Sequence, residues 1–292
     1  MTSSYAAALI GAGVSPSLTP KMHEREGARH GLNYVYRTVD ITTLGIAAHD
    51  VGELVRAAQA FGFDGLNITH PCKQLVISHV DALSPEAAAL GAVNTVVFRD
   101  GRSFGHNTDV TGFAKSFARG LPDAATARVV QLGAGGAGAA VAHALLTLGT
   151  DRLMLADLDT ARATHLAGRL AERFGSGRVE YVDPRGLGDA LENADGLVNA
   201  TPIGMADHPG SPVPRELLCP QLWVADIVYR PLRTALVEDA ERAGCQVLTG
   251  AGMAVFQAVD AFALITGREP DAEAMFRDFN DLVTLEATEG TL

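Results

Sequence analysis

The stretch that decides the fold is Arg128–Asp157, RVVQLGAGGAGAAVAHALLTLGTDRLMLAD. Val129 to Leu132 is an apolar run of strand length. Gly133-Ala134-Gly135-Gly136-Ala137-Gly138 follows and fits the pattern G-x-G-x-x-G. Ala139 to Leu148 are good helix formers with apolar residues at helical spacing, and Gly149 is placed to end that helix. A second apolar run, Leu153 to Ala156, ends in Asp157. The order strand, glycine turn, helix, strand, acid is that of a dinucleotide site. Gly133 would allow the tight turn, Gly135 the approach of backbone to a pyrophosphate, and Gly138 the close packing of helix on strand. The N–H groups and dipole at the helix start favour phosphate charge. A lone glycine turn is weak evidence in an alanine-rich chain. Here both strands, the helix and an acid about 20 residues on agree, which selects a nucleotide site over a purely structural turn. Gly133, Ala134, Gly135, Gly136, Ala137 and Gly138 are the candidate phosphate cradle.

Asp157 bears on which dinucleotide. A carboxylate there can accept hydrogen bonds from the adenosine ribose of NAD, whereas NADP would bring a phosphate against it. Leu158 and Asp159 follow, so no arginine stands at the strand end and a second acid does. Arg162, one helical turn on, would soften the repulsion if it faced the site. The plainer reading makes it a solvated helix residue, and that reading is preferred on residues alone. On balance the sequence favours NAD.

At 292 residues the chain has room for two domains of ordinary size. A hydrophobic share of 47% supports a full core rather than disorder. The net charge of -11 argues against nucleic acid or an anionic membrane as partner. Cys72, Cys219 and Cys245 are widely spaced with no C-x-x-C, which fits a reducing cytoplasm. Met1-Thr2-Ser3-Ser4 lacks the basic region of a signal peptide, and no apolar run is long enough to span a bilayer. The histidines show no H-E-x-x-H spacing, so no metal is expected.

Tyr5 to Ile10 reads as a first strand leading into a loop, Gly11 to Pro20, that holds Ser17 and Thr19. Hydroxyls on such a loop can bind a carboxylate. Equally, Thr19 before Pro20 suits a helix N-cap, and the residues alone favour the cap. Tyr34 to Ile41 and Gly65 to Thr69 read as strands, with an amphipathic helix between them from His49 to Phe61. Lys73 follows on a loop as a candidate acid or base, against the ordinary reading of a solvated lysine. Val93 to Phe98 is a strand containing Asn94, and Asp100-Gly101 is a hairpin signal. Strands and helices alternate throughout, which implies parallel sheets. The expected fold class is α/β in two domains with a cleft between them. One is an N-terminal α/β substrate domain, residues 1–121, with C-terminal helices from 251–292 packing back on it. The other is a Rossmann-like doubly wound NAD-binding domain, residues 122–250.

Taken together, the loops resemble the shikimate dehydrogenase family, and within it the NAD-dependent quinate/shikimate dehydrogenases, over nearly the full length. Ser17-Leu18-Thr19-Pro20 with His23 resembles the family's substrate-carboxylate loop. Asn67-Ile68-Thr69-His70-Pro71-Cys72-Lys73 resembles the segment of the catalytic lysine. Gly91 to Thr95 and Gly105 to Asp109 resemble two further substrate segments. Asn199 to Gly204 and Asp226 to Tyr229 resemble the nicotinamide-side loops, and Gly252-Met253 with Gln257 the closing helix.

The resemblance implies Lys73 and Asp109 as the catalytic pair. It implies Ser17 and Thr19 as carboxylate ligands, and Thr69, Asn94, Asn107, Tyr229 and Gln257 as further substrate ligands. On the cofactor side it implies Asp157, Arg162, Thr201, Val228, Gly252 and Met253 beside the glycine cradle. Asp157-Leu158-Asp159 stands where NADP-using members typically have Asn-Arg-Thr, which again points to NAD. Thr19 stands where the NADP-dependent branch has serine, next to the substrate carbon on which quinate and shikimate differ. The implied reaction is reversible hydride transfer between a ring alcohol of quinate or shikimate and NAD, in a cytoplasmic enzyme with a homodimer as candidate assembly. Lys73 can take the hydroxyl proton only while neutral, and a nearby Asp109 favours its charged form. A charged Lys73 would instead orient the hydroxyl and stabilise developing alkoxide. Competing readings are an NADP-linked biosynthetic shikimate dehydrogenase, an enzyme for an amino analogue, a folate-type dehydrogenase and a non-catalytic NAD-binding regulator. The regulator would be expected to lack Lys73 or Asp109.

Overall fold

The structure, a computed structural model, describes residues 3–289. The chain divides into two compact units, Met1–Gly112 with Val255–Leu292, and Phe113–Ala254. Both connections between these units fall inside helices. A helix running Thr108–Gly120 and another running Ala251–Thr266 each begin in one unit and end in the other.

In chain order the first unit holds β1 (Ser4–Gly11), α1 (Thr19–Arg29), β2 (Asn33–Asp40), α2 (Ile41–Leu44), α3 (Val51–Ala60) and β3 (Gly65–Ile68). After these come β4 (Ala82–Leu83), α4 (Pro85–Leu90), β5 (Thr95–Arg99), β6 (Arg102–His106) and the start of α5 (Thr108–Gly120). The sheet order is β2-β1-β3-β5-β6-β4. β1 lies parallel to β2 and β3, but β3–β5 and β5–β6 are antiparallel. The expectation of parallel strands throughout fails here for a local reason. Asp100 and Gly101 both take positive φ, 51° and 74°, in a two-residue turn between the paired Arg99 and Arg102. A turn that tight can only reverse the chain. Ile10, Leu66, Ile68, Val76 and Val96 form the core under this sheet's helices.

The second unit continues with β7 (Arg128–Leu132), α6 (Gly136–Thr147), β8 (Arg152–Ala156), α7 (Thr160–Phe174), β9 (Val179–Tyr181), α8 (Leu187–Glu192) and β10 (Gly196–Asn199). It closes with β11 (Trp223–Asp226), α9 (Ala235–Arg242), β12 (Gln246–Leu248) and the start of α10 (Ala251–Thr266). All six strands are parallel in the order β12-β11-β10-β7-β8-β9. This is the doubly wound order: successive strands are added on opposite sides of the β10–β7 pair, so the strand order reverses there, where such sheets bind ligands. α6 is buried from Gly138 to Leu146 without a break, which is why, His143 apart, its sequence is apolar on every side.

α11 (Ala272–Glu289) returns to the first unit. Arg25 and Arg29 of α1 bond Asp278 at 3.1 and 2.7 Å, and the buried Glu26 accepts the Asp271 N–H at 2.8 Å. Among the described residues no helix is long and apolar enough to cross a membrane.

Candidate active site

Lys73 lies five residues beyond β3, past a turn closed by the Cys72 N–H on the Thr69 carbonyl. Its Nζ donates to Asp109 Oδ2 at 2.6 Å, with the two side chains only 15% and 8% exposed. Asp109 sits in the first turn of α5. Its other oxygen accepts from Asn94 Nδ2 at 2.9 Å, and its N–H bonds Asn107 Oδ1 at 3.1 Å. The pair expected from sequence is therefore assembled, 36 residues apart in the chain, and one carboxylate oxygen faces each neighbour.

Asn94 and Asn107 are placed beside this pair, and the Asn94 amide is fully occupied. Asn94 Nδ2 gives its two hydrogens to Asp109 Oδ1 and Thr108 Oγ1, while Oδ1 accepts from the Thr108 N–H at 2.8 Å and the Thr95 hydroxyl at 3.0 Å. Asn107 Nδ2 donates to the Ala92 carbonyl at 3.0 Å. Thr69 follows β3, half-buried, with its N–H on the Ile10 carbonyl. Gln257, half-buried on α10, lends its backbone carbonyl to the Thr108 hydroxyl at 3.1 Å. On the first loop Leu18, not Thr19, occupies the cap position of α1, and no side chain caps that helix. The capping reading of Thr19 is thus corrected: its backbone is already helical. Ser17 Oγ instead accepts the Thr19 N–H at 3.3 Å. Nothing in the residues alone marks Thr108 and Thr95 for a role. Their position within the two substrate-like segments was the only signal, and it named no partner.

In the second unit the glycine cradle has the geometry that a dinucleotide needs. Gly133 takes φ +96°, and a Cβ on Gly138 would collide with the Gly133 carbonyl. α6 begins at Gly136 behind Gly135, with no side chain capping its first N–H groups and nothing within 4 Å of where a Gly135 Cβ would stand. Open N–H groups at a helix start beside side-chain-free backbone fit a pyrophosphate. Gly136 and Ala137 open the helix, and Ala134 gives its N–H to Asp157 Oδ2 at 2.7 Å.

Asp157 directly follows β8 with every acceptor position filled. Oδ2 takes the Ala134 N–H and Arg162 Nε at 3.2 Å; Oδ1 takes the Asp159 N–H at 2.8 Å and Arg162 Nη2 at 2.7 Å. Burial alone would raise its pKa, but the Arg162 guanidinium and the N–H groups of Asp159 and Ala134 outweigh this and hold it below the ordinary carboxylate range. Asp157 is therefore charged and paired. The reading of Arg162 as a merely solvated residue is corrected: Asp159 caps α7 on the Arg162 N–H, which turns that side chain back onto Asp157. A ribose hydroxyl would have to compete with Arg162 for the carboxylate.

Thr201 bonds Asn199 Oδ1 through its hydroxyl at 2.6 Å, closing the turn after β10. Asp226, at the end of β11, is buried, and burial raises its pKa despite bonds from Thr234, the Val228 N–H and Asn199. Phe113, Ser116, Asp226, Ile227, Gly250 and Met253 line a hollow at the C-terminal ends of β11 and β12. Gly252 packs on Ser116 so closely that a Cβ would strike its hydroxyl. Val228 is buried and Tyr229 half-buried on the loop above.

Comparison with known proteins accords with this geometry. Residues 9–96 match the family model described as the shikimate dehydrogenase substrate binding domain. A Streptomyces avermitilis protein named shikimate dehydrogenase (NADP(+)) is 63% identical over 279 residues, covering 96% of each chain. A quinate/shikimate dehydrogenase (NAD(+)) from Corynebacterium efficiens is 51% identical over 275 residues, covering 94% of this chain and 97% of its own. The structure of quinate dehydrogenase from Corynebacterium glutamicum in complex with NAD superposes with a TM-score of 0.91 at 47% identity, covering 96% of this chain and 100% of that one. Fold and relatives thus define an oxidoreductase of the pyridine-nucleotide class. More narrowly, the chain belongs to the shikimate dehydrogenase family.

Proposed function

We propose that this protein oxidises the ring C3 alcohol of quinate and shikimate, reversibly, with NAD, to give 3-dehydroquinate and 3-dehydroshikimate. The observation that carries the reading is the Lys73–Asp109 ion pair, 2.6 Å long and largely withdrawn from water. NAD, when bound, supplies the hydride acceptor. As hydride leaves the carbon, the hydroxyl proton must leave as well. Lys73, paired with Asp109, donates to the substrate oxygen and stabilises the developing alkoxide, while the proton passes to water. In reduction the same path runs backward: Lys73 donates a hydrogen bond to the carbonyl oxygen and stabilises the alkoxide as it forms, and water supplies the proton. Ser17 and Thr19 on the first loop would bind the substrate carboxylate, with Thr69, Tyr229 and Gln257 toward the ring hydroxyls. Asn107 donates one Nδ2 hydrogen to Ala92 and has a second for substrate, whereas Asn94 reaches substrate only by exchanging its bond to Thr108 Oγ1.

The choice of NAD rests on Asp157, a charged carboxylate at the strand end. A second reading, an NADP-linked biosynthetic enzyme, is favoured by one observation: Arg162 lies on that carboxylate with its side chain half exposed, so a cation is at hand for a 2′-phosphate. The deciding measurement is dinucleotide reduction in four mixtures, quinate or shikimate with NAD or NADP. Fast reduction of NAD with quinate, and little of NADP, is expected. Turnover confined to shikimate with NADP would reject the NAD assignment in favour of the second reading.

A further inference from the structure

Behind Asp109 runs a line of buried side chains that the proposed chemistry does not itself use. Tyr36 on β2 reaches across β1 and donates its hydroxyl to Asn67 Oδ1 on β3 at 2.7 Å. Asn67 Nδ2 donates to Thr95 Oγ1 at 3.0 Å, directly opposite it on β5. Thr95 donates to Asn94 Oδ1 at 3.0 Å, and Asn94 to Asp109 Oδ1 at 2.9 Å. Tyr36, Asn67, Thr95, Asn94 and Asp109 are each at most 5% exposed.

The direction of this line is set by backbone groups that can act in one sense only. The Thr108 N–H must donate, so the atom of Asn94 it meets at 2.8 Å is Oδ1, and Nδ2 is turned to Asp109. The Asn94 carbonyl must accept, so the Asn67 atom beside it at 3.4 Å is Nδ2, and Oδ1 is turned to Tyr36. Tyr36 must then donate, and burial with the neighbouring Tyr34 holds its hydroxyl protonated well above the ordinary phenol range. Thr95, already accepting from Asn67, has only Asn94 left for its proton. Every hydrogen points toward the Asp109 carboxylate, whose other oxygen takes Lys73. Hydrogen bonds aligned head to tail polarise one another in a low-dielectric interior.

We propose that Tyr36, Asn67 and Thr95 are positioning residues for the Lys73–Asp109 pair. They hold the Asn94 amide in one orientation, which fixes the Asp109 carboxylate, which aims the Lys73 ammonium. The inference rests on the catalytic reading of Lys73 and Asp109 given above. None of the three touches Lys73 or Asp109; Tyr36 is four hydrogen bonds away from the carboxylate. Misplacing a reacting group by about an ångström can lower a rate by about a hundredfold. Loss of one strut in the line should therefore appear in kcat rather than in substrate binding.

The test compares Tyr36→Phe, Thr95→Val and Thr95→Ser, alone and in an Asp109→Asn background, with steady-state kinetics on shikimate and quinate and a thermal midpoint for each. Tyr36→Phe removes one oxygen and keeps the ring, so it remains informative if Thr95→Val does not fold. Tyr36→Phe and Thr95→Val are expected to lower kcat about tenfold or more with KM within about threefold. Thr95→Ser restores the hydroxyl and should restore most of kcat. In the Asp109→Asn background the further loss should shrink to less than about twofold, because the struts act through that carboxylate. Unchanged kcat in both variants, or losses that multiply fully with Asp109→Asn, would overturn the positioning role. Lys73→Met serves as the separate check: full activity in that variant would reject the catalytic reading itself, whatever the struts do.

Discussion

Replacing Asp157 with Asn tests how the second unit chooses its dinucleotide. In the wild type the carboxylate is charged, its side chain is 6% exposed, and Arg162, whose own side chain is 50% exposed, grips both oxygens. A 2′-phosphate placed about 5 Å from the carboxylate would be repelled by about 3 kcal/mol per unit charge at an effective dielectric near 20. Solvent on the Arg162 side reduces this to roughly half, about 1.5 kcal/mol, which corresponds to about a factor of ten. Asp157→Asn removes the charge and loosens Arg162 for the phosphate, so both effects act in the same direction. The amide also leaves one of two backbone donors, Ala134 or Asp159, without an acceptor. That should lower stability by about 1–3 kcal/mol and be visible in the thermal midpoint. The assay is initial dinucleotide reduction at saturating shikimate, varying NAD and NADP. The ratio of kcat/KM for NADP to that for NAD should rise about tenfold or more. A ratio that stays within twofold of wild type, or falls, would mean that Asp157 does not face the 2′ position and the electrostatic reasoning is wrong.

Lys73→Ala should reduce kcat by about a hundredfold or more while KM moves little; stopped-flow or steady-state absorbance of the reduced dinucleotide measures this, and an unchanged kcat refutes the role. Gly138→Ala would drive a Cβ into the Gly133 carbonyl, so the turn must shift; an apparent NAD affinity at least about tenfold weaker is expected, read by fluorescence titration, and wild-type affinity would show that the cradle does not bind the pyrophosphate. His23 is fully buried, and burial pushes its pKa down to about 3. The folded state therefore refuses a proton that the unfolded chain accepts below about 6.5. This group's contribution is complete above that value and is lost as pH falls toward about 3, at about 1.4 kcal/mol per pH unit within that window. Urea midpoints at pH 7 and pH 5 should differ accordingly, and His23→Phe should flatten that part of the profile; an identical profile in the variant would count against the assignment.

Much of this was legible along the chain. Gly133 to Gly138 between two apolar runs reads as a nucleotide turn because positive φ and side-chain-free backbone are properties of glycine itself. Asp100-Gly101 reads as a hairpin for the same reason. The parallel order of the second sheet also follows from alternation of strand and helix. The first sheet departed from that expectation where the hairpin forced reversal, a conflict already present in the sequence between a local turn signal and a global pattern. Lys73 and Asp109 could be named from the segments that carry them, but not their 2.6 Å contact.

What composition, periodicity and glycine placement determine is local: where strands and helices fall, which turn cradles a phosphate, and which acids and lysines stand at strand ends. Partner choice was decided by the tertiary structure. Arg162 leans on Asp157 because Asp159 caps the helix between them. Asn94 faces the carboxylate with its nitrogen because a backbone N–H from Thr108 occupies its oxygen. Tyr36 meets Asn67 across 31 residues of chain because β1 lies between their strands. Hydrogen bonds depend on which groups are brought within about 3 Å and which way each must point, and neither is a property of any residue taken alone.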